Sequence, residues 1–474
     1  MAKSEENSNL EKKLSPINVW ALALGCIIGW GAFVMPGNTF LGRAGVGGTA
    51  IAMLIASVIM CIIAFNYDYM ITHYPVAGGA FTYTKKSFGQ THAFVCSWFL
   101  GLSYLAIVPL NATALALIGR NLMGKLFQFG FHYSVAGYDV YLGEILLAVG
   151  ALLLFAWLSI RGVKFAGVFQ TILVIALVLG VLVIAVAALV NPNINFADLA
   201  PAYYPGSSEI SGILAVVAVA PWAFIGFDTI PQAAEEFNFS PKKSKFIMII
   251  SIFFGGLVYV VLNTVTAAAI PEGYANWVEY IEDLPNLQGL ESLPTFNAAH
   301  ELLGLWGLIF LAVAVLAAIL SGIVGFYMAT SRFLYSISKE KVLPSFLGQL
   351  HGKYKTPANA IMFVMAISLV APFFGRTVLN WIVDMSSLGA AIGYGYTSLA
   401  ALKLAIKEKR KFIIATSIIG SLVAAVFVVL LLVPIPLFNC SLSLESYICL
   451  AIWSFLGVVF YAYSSRKAKT LGKN

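Results

Sequence analysis

The sequence predicts an all-α integral membrane protein whose twelve transmembrane helices include two inverted repeats of five. Three observations support this fold class: the composition, the number of long apolar runs, and two runs that are interrupted near their middle. Of the 474 residues, 60% are hydrophobic and only 10% are charged, with a mean hydropathy of +0.89. Soluble globular proteins carry about 25% charged residues. We therefore expect most of the chain to lie within a lipid bilayer.

Twelve apolar runs are long enough to cross the hydrocarbon core, which requires about 20 residues of helix. They lie near residues 17–40, 47–72, 93–119, 141–159, 166–190, 211–234, 246–270, 303–330, 357–374, 378–402, 412–434 and 446–464. The segments between the runs are too short and too uniform in composition to indicate a separate soluble domain.

The positions of the basic residues predict the orientation of these helices. When the loops are assigned to alternate sides, all but four of the 28 lysines and arginines fall on the side of the N-terminus; the exceptions are Arg43, Arg120, Lys125 and Arg376. The positive-inside rule therefore places both termini in the cytoplasm and the protein in the cytoplasmic membrane. Basic residues beside membrane helices also contact anionic lipid. The net charge of +7 is thus no sign of a nucleic-acid partner.

The order of the runs predicts four segments. A cytoplasmic N-terminal tail occupies 1–16, and the first ten runs, which hold the two repeats of five, occupy 17–404. Helices 11 and 12 occupy 405–465, and a cytoplasmic C-terminal tail occupies 466–474.

An enzymatic function is not expected. The five cysteines and five histidines show no spacing typical of metal ligands. The apolar runs contain no phosphate loop and no nucleophile with a paired base. We therefore predict no metal site, no cofactor and no catalytic residue.

The first apolar run is interrupted by Gly25, Gly29 and Gly31. Glycine costs about 1 kcal/mol per helical position relative to alanine, so a break is plausible. Irregular backbone at membrane depth persists only where it is packed in protein or lines a cavity. The N–H groups that open a second half-helix would suit a carboxylate, and the carbonyls of Ile27 and Ile28 would suit a cation. Close helix packing at these glycines is the alternative.

The sixth run contains a second candidate break, where Pro221 and Pro231 flank Gly226. Proline removes a helical hydrogen bond and clashes with the preceding turn. The run of Gly226 comes five places after that of Gly29, with four runs between them, so the sixth run crosses the membrane in the opposite direction to the first. Two broken helices in corresponding positions of opposed repeats indicate a transport site near the bilayer midplane.

Asp228 lies beside the second break, far from both predicted membrane surfaces. An ionisable side chain at this depth costs at least about 2.5 kcal/mol, so a functional role is expected. It could bind a substrate ammonium, carry a proton, or cap the broken helix, a role in which aspartate is common. Asp384 is a second embedded carboxylate, closer to the outer surface.

Four motifs resemble the amino acid, polyamine and organocation permease superfamily, and they occur in its order. They are GCIIGWGAF at 25–33, PVAGGAFTY at 75–83, FIGFD at 224–228 and SRFLY at 331–335. The resemblance implies an alternating-access carrier with the LeuT-like fold, in which helices 1 and 6 are discontinuous and helices 11 and 12 lie outside the repeats.

The resemblance also implies a substrate site. Its residues are amide donors to a carboxylate at Gly29, Trp30 and Gly31; carbonyl acceptors for an ammonium at Ile27, Ile28, Ala223, Phe224 and Ile225; and an aromatic gate at Trp222. Trp30 departs from the family, which usually has a small residue there, so we expect a reshaped side-chain compartment.

Two further departures concern coupling and partners. Many members carry a lysine in the fifth helix; counting from Lys164 and Gln170, its position here is Leu177. Proton symport with Asp228 as the candidate proton carrier and exchange therefore both stay open, as does a sodium site at Ser321. Residues 120–140 lack the external cysteine of members that pair with a glycoprotein, so no disulfide-linked partner subunit is expected.

The sequence thus predicts a secondary transporter of amino acids, working by proton symport or exchange. An amine or polyamine transporter, or an amino acid/amine antiporter, is the alternative on the same fold. In that case Asp228 would be the partner of the substrate's cationic group.

Overall fold

The computed structural model describes residues 10–471 except 136, 193, 195, 197, 198, 436, 437 and 439. The predicted tails at 1–16 and 466–474 therefore lie partly outside the described residues. The helices are α1 (Pro16–Ile27), α2 (Gly31–Met35), α3 (Gly42–His73), α4 (Gly79–Phe88), α5 (Gln90–Met123), α6 (Leu142–Arg161), α7 (Val163–Val190), α8 (Glu209–Val217), α9 (Ala220–Ala223), α10 (Ser244–Ala268), α11 (Trp277–Asp283), α12 (Pro294–Leu303), α13 (Leu305–Lys339), α14 (Ala358–Ser368), α15 (Gly375–Lys407), α16 (Lys411–Leu432) and α17 (Leu444–Leu471).

The described helices confirm a helical membrane protein. Eight of them are long and apolar enough to cross a membrane, and a ninth span results if the bent pair Glu209–Val217 and Ala220–Glu236 is counted as one. The predicted count of twelve stays a prediction. Pro16–Ile27 and Ala358–Phe373 are apolar but, at 10–17 residues, shorter than a membrane span.

The first and second predicted runs join without a loop. Helix α2 passes through a π-helical segment, Pro36–Leu41, into α3, whose first turns are kinked at Gly45. Gly45 has φ +70°, and a Cβ there would lie 2.8 Å from the Ala202 carbonyl oxygen. A residue with a side chain would therefore be strained and crowded at this corner.

One element departs from an all-α fold. Strands β1 (His132–Val135) and β2 (Tyr138–Tyr141) form an antiparallel hairpin between α5 and α6, with His132 opposite Tyr141. The sequence analysis did not predict it. Arg120 at the end of α5 holds the hairpin to α6, since it bonds the Glu144 carboxylate and lies 4.4 Å from the centre of the Tyr138 ring.

The two broken helices occupy the middle of the bundle. Helix α1 packs against α7, α10 and α13, and the segment after the second break packs against α1 and α13. The side chains around both breaks belong to a single buried apolar cluster that runs through the bundle.

Candidate transport site

The predicted break in the first helix is confirmed. Helix α1 ends at Ile27, and Ile28 leaves the helical region with φ −89° and ψ 75° before α2 begins at Gly31. The backbone N–H groups of Gly29, Trp30 and Gly31 donate no hydrogen bond to any described group. Three donors therefore point from a new helix start, the arrangement that favours an anion.

The predicted break in the sixth helix is also confirmed. Helix α9 ends at Ala223, and after Gly226 (φ 142°, ψ −40°) the chain continues as a 3₁₀ helix, Phe227–Glu236. Among the described groups, none donates a hydrogen bond to the carbonyls of Ala223, Phe224 and Ile225. These carbonyl oxygens are available to a cationic group.

The two breaks touch each other at Gly226. A Cβ on this residue would lie 2.7 Å from the Ile27 backbone nitrogen and 2.7 Å from Cys26 Cβ. Only glycine satisfies both the positive φ and this close backbone approach. The two breaks thus lie directly against each other.

A small cavity of about 30 Å³ lies between the two breaks. Its described lining consists of Cys26, Ile27, Gly29, Trp30, Gly31, Ile107, Leu110, Asn111, Trp222, Ile225 and Tyr259. Six of the predicted site residues therefore meet around it. This volume holds about two water molecules, so a substrate can enter only if the surrounding helices move.

Trp222 closes the cavity against the first break. Its ring packs on Gly31, where a Cβ would overlap Cη2, and its centre lies 6.4 Å from that of the Trp30 ring in an edge-to-face arrangement at 72°. Edge-to-face aromatic pairs are favourable. The two indole rings together fill the space beside the first break.

Asp228 is fully buried but does not line the cavity. One carboxylate oxygen accepts a hydrogen bond from the Gly226 N–H at 2.9 Å, and the other accepts one from the Tyr104 hydroxyl at 2.6 Å. Both bonds fix the start of the 3₁₀ segment. The three roles considered for Asp228 stay predictions. The predicted residues Ile28, Ala223 and Phe224 are not among the residues that line the cavity.

Asn111 is a lining residue that the sequence analysis missed. Its Nδ2 donates to the Ile107 carbonyl at 2.9 Å, while its buried Oδ1 has no hydrogen-bond partner among the described residues. That oxygen lies 3.9 Å from the position of a Cβ on Gly29. The sequence did contain a signal for this residue, since Asn111 is a polar amide close to Pro109 in an otherwise apolar run.

The predicted cation site at Ser321 is packed with protein atoms. The Ser321 hydroxyl lies 3.1 Å from the Gly25 carbonyl oxygen and 2.9 Å from that of Ala318. Gln170 Nε2 donates to the Ala21 carbonyl at 3.4 Å. The Gly25 and Ala21 carbonyls of α1 thus each accept a hydrogen bond from an uncharged side chain. The sequence analysis gave Gln170 no role.

A second group of contacts ties the start of α1 to the segment after the second break; we call it the α1 clasp. Leu14 N–H donates to the Glu236 carbonyl at 2.9 Å, and Asn238 N–H donates to the Leu14 carbonyl at 3.0 Å. The Glu236 carboxylate forms a two-pronged ion pair with Arg332, at 3.0 and 3.1 Å. Both charged side chains are buried between α13 and the segment that follows the second break.

The described residues contain no group of three or more His, Cys, Asp or Glu side chains arranged to hold a metal ion.

Comparison with known proteins identifies the family. The family model described as amino acid permease matches residues 14–459. The methylthioribose transporter of Bacillus subtilis is 24% identical, with 100% of this chain and 97% of that protein covered. The branched-chain amino acid permease BcaP of the same organism is 25% identical, with 100% and 97% covered.

A third relative is the low-affinity putrescine importer PlaP of Escherichia coli, which is 23% identical over 76% of this chain and 74% of its own. The match of the family model covers nearly the whole chain, including both breaks and the α1 clasp. The resemblance drawn from the four motifs is thereby confirmed. The chain belongs to the amino acid permease family and is a multi-pass membrane transporter, not an enzyme.

Proposed function

We propose that the protein is a secondary transporter of small, uncharged amino acids across the cytoplasmic membrane, working by alternating access with proton symport or exchange. One observation carries the proposal: the residues with free amides at one break and Ile225, with its free carbonyl at the other, line a single small cavity. The proposed scaffold has twelve helices with two inverted five-helix repeats. Its segments are those predicted at 1–16, 17–404, 405–465 and 466–474, with both termini in the cytoplasm.

The backbone supplies a partner for each end of a zwitterion. The amides of Gly29, Trp30 and Gly31 would bind the carboxylate, with the positive end of the α2 helix adding to the attraction. The carbonyls of Ile27, Ile28, Ala223, Phe224 and Ile225 would bind the ammonium. The substrate side chain would then lie toward Asn111 and Tyr259, and Trp222 would cover it.

The lining favours an amino acid over a diamine. None of the described lining residues is charged, so a second ammonium would find no carboxylate. A buried ammonium without a counter-charge is costly. Transport of an amine or polyamine, or amino acid/amine exchange, is the second candidate, because the putrescine importer is among the relatives. That function would require Asp228 to leave its present partners and face the cavity.

Asp228→Asn distinguishes the two candidates. Asparagine Oδ1 still accepts from the Gly226 N–H, and its Nδ2 can donate to the Tyr104 oxygen, so both hydrogen bonds survive without the charge. We expect a loss of substrate affinity within about tenfold, equal for every substrate. The measurement is counterflow uptake by the variant in proteoliposomes, with Asp384→Asn as the control for loss of an embedded charge.

Selective loss of amine uptake in Asp228→Asn would move the assignment to the second candidate. Loss of gradient-driven uptake while counterflow persists would instead identify Asp228 as the proton carrier.

Trp30→Ser tests the proposed size selection. Removing the indole enlarges the space beside Trp222, so we expect uptake to shift toward larger side chains by about tenfold or more. The competition profile of a panel of unlabelled amino acids measures this shift. Trp306→Ser is the matched control because Trp306 lies exposed on α13. A profile identical to that of the wild type would contradict a role for Trp30 in size selection.

Sodium is not expected to drive transport. Ser321 and Gln170 already occupy the Gly25 and Ala21 carbonyls, and a Cβ on Gly25 would lie within 2.9 Å of both side chains. Little room for a cation is left between α1, α7 and α13.

Counterflow into proteoliposomes tests the proposed function as a whole. Labelled amino acids and their decarboxylation amines are screened without an ion gradient, and each hit is repeated with a proton or a sodium gradient. We expect uptake of amino acids only, with no stimulation by sodium. Uptake restricted to amines would overturn the proposal.

A further inference from the structure

A pocket of about 410 Å³ lies away from the candidate site, at the end of the bundle where α6 ends and α7 begins. Three segments meet there: the chain leading into α1, the α6–α7 turn, and the loop before α14. Its polar lining comes from Glu11, Lys13, Arg161, Lys164, Lys353 and Tyr354.

The charge of this pocket is strongly positive. Four cationic side chains line it, and Glu11, which is ion-paired with Lys13, is the one carboxylate among its described lining residues. The pocket therefore has an excess of three positive charges, which attracts an anion with more than one partner atom. The Lys353 ammonium lies over the Tyr354 ring, 5.5 Å from its centre.

An apolar rim continues from this positive pocket onto the surface of the bundle. Phe165 and Val168 line the pocket and are 53% and 47% exposed, on the first two turns of α7. Trp157 is 50% exposed, and the Arg161 guanidinium lies 4.1 Å from the centre of its ring. Tryptophan is enriched at the headgroup level of membranes. The pocket thus combines a cationic hollow with an exposed apolar flank.

The pocket also bridges α1 to its neighbours. Asn18 Nδ2 donates to the Gly167 carbonyl at 3.2 Å and to Thr171 Oγ1 at 3.0 Å, which docks α1 on α7. The Thr356 hydroxyl donates to the Ile160 carbonyl at 2.8 Å, which holds the loop before α14 to the end of α6. A ligand held between Lys13, Arg161 and Lys353 would contact all three segments at once.

We propose that this pocket binds the phosphate headgroup of an anionic phospholipid, with an acyl chain along Phe165 and Val168. Basic pockets between membrane helices are a recurrent form of lipid headgroup site. An inorganic phosphate matches the cations equally well but makes no use of the apolar rim, which is why the structure favours a lipid. The bound lipid stabilises the arrangement in which α1 is docked on α7.

The test measures binding, so its outcome is independent of transport. The purified protein is titrated with phosphatidylglycerol brominated on its acyl chains, and quenching of Trp157 fluorescence is read against the Trp157→Phe variant. Each neutralised charge is expected to weaken binding about fivefold. The variant Lys13→Gln/Arg161→Gln/Lys353→Gln should therefore bind about 100-fold more weakly than the wild type.

Two controls make the result decisive. Lys407→Gln/Lys409→Gln removes exposed charges from the α15–α16 turn and should leave quenching unchanged. Inorganic phosphate should displace the lipid only weakly. Equal quenching in the triple variant and the wild type would overturn the site. Full displacement by phosphate at low concentration would overturn the lipid as its ligand.

Discussion

Gly226→Ala is expected to abolish transport, lowering uptake by about 100-fold or more, which corresponds to about 2.7 kcal/mol. Alanine at φ 142° is strained by about 1–3 kcal/mol. Its Cβ would also lie 2.7 Å from the Ile27 backbone nitrogen and from Cys26 Cβ, and neither is the mobile end of a side chain. The two broken helices must then separate, which disrupts the cavity between them. Initial uptake per folded molecule in proteoliposomes measures the effect.

The matched control for Gly226→Ala is Gly273→Ala. Gly273 also has a positive φ, 102°, but a Cβ there meets nothing within 4 Å. Gly273→Ala therefore introduces backbone strain without a steric clash. We expect its uptake per folded molecule to equal that of the wild type. Wild-type uptake by Gly226→Ala would show that the contact between the two breaks is not needed for transport.

Arg332→Met is expected to destabilise the protein by about 3–5 kcal/mol, because Glu236 would be left as a buried charge without a partner. Arg332 is 1% exposed and Glu236 is fully buried, and their ion pair joins α13 to the α1 clasp. A lowered midpoint of thermal unfolding in detergent measures the loss.

The double variant Arg332→Met/Glu236→Leu distinguishes two causes of the lost stability, the unpaired buried charge and the loss of packing. Replacing a buried pair by apolar side chains of similar volume is often neutral or stabilising. The backbone bond from Leu14 to Glu236 does not need the carboxylate, so we expect the double variant to recover most of the lost stability. A double variant as unstable as Arg332→Met would contradict the uncompensated charge as the cause.

Both helix breaks could be predicted from the sequence because their causes are local. Gly25, Gly29 and Gly31 weaken one run, and Pro221 and Gly226 interrupt another, whatever the helices pack against. The apolar runs and the family were predictable for the same reason: hydropathy and motifs need no knowledge of distant contacts.

Contacts between distant parts of the chain explain what was missed. Asn111 enters the site because α5 passes beside the first break, and Gln170 reaches the Ala21 carbonyl from α7, 149 residues away. The role of Asp228 likewise depended on Tyr104, a partner 124 residues away. The hairpin at 132–141 depends on the pairing of two short strands, which single-sequence patterns specify weakly.

Competition between three molecules with the same side chain tests the central claim most directly. Counterflow of a transported amino acid is measured against the unlabelled amino acid, its methyl ester, and the amine that lacks the carboxylate. If amides of the first break bind the carboxylate and carbonyls of both breaks bind the ammonium, only the intact amino acid should compete well. Loss of a hydrogen bond to a charged group weakens binding by about tenfold or more, so the ester and the amine should compete at least that much more weakly. An amine that competes as well as the amino acid would contradict a carboxylate site at Gly29, Trp30 and Gly31.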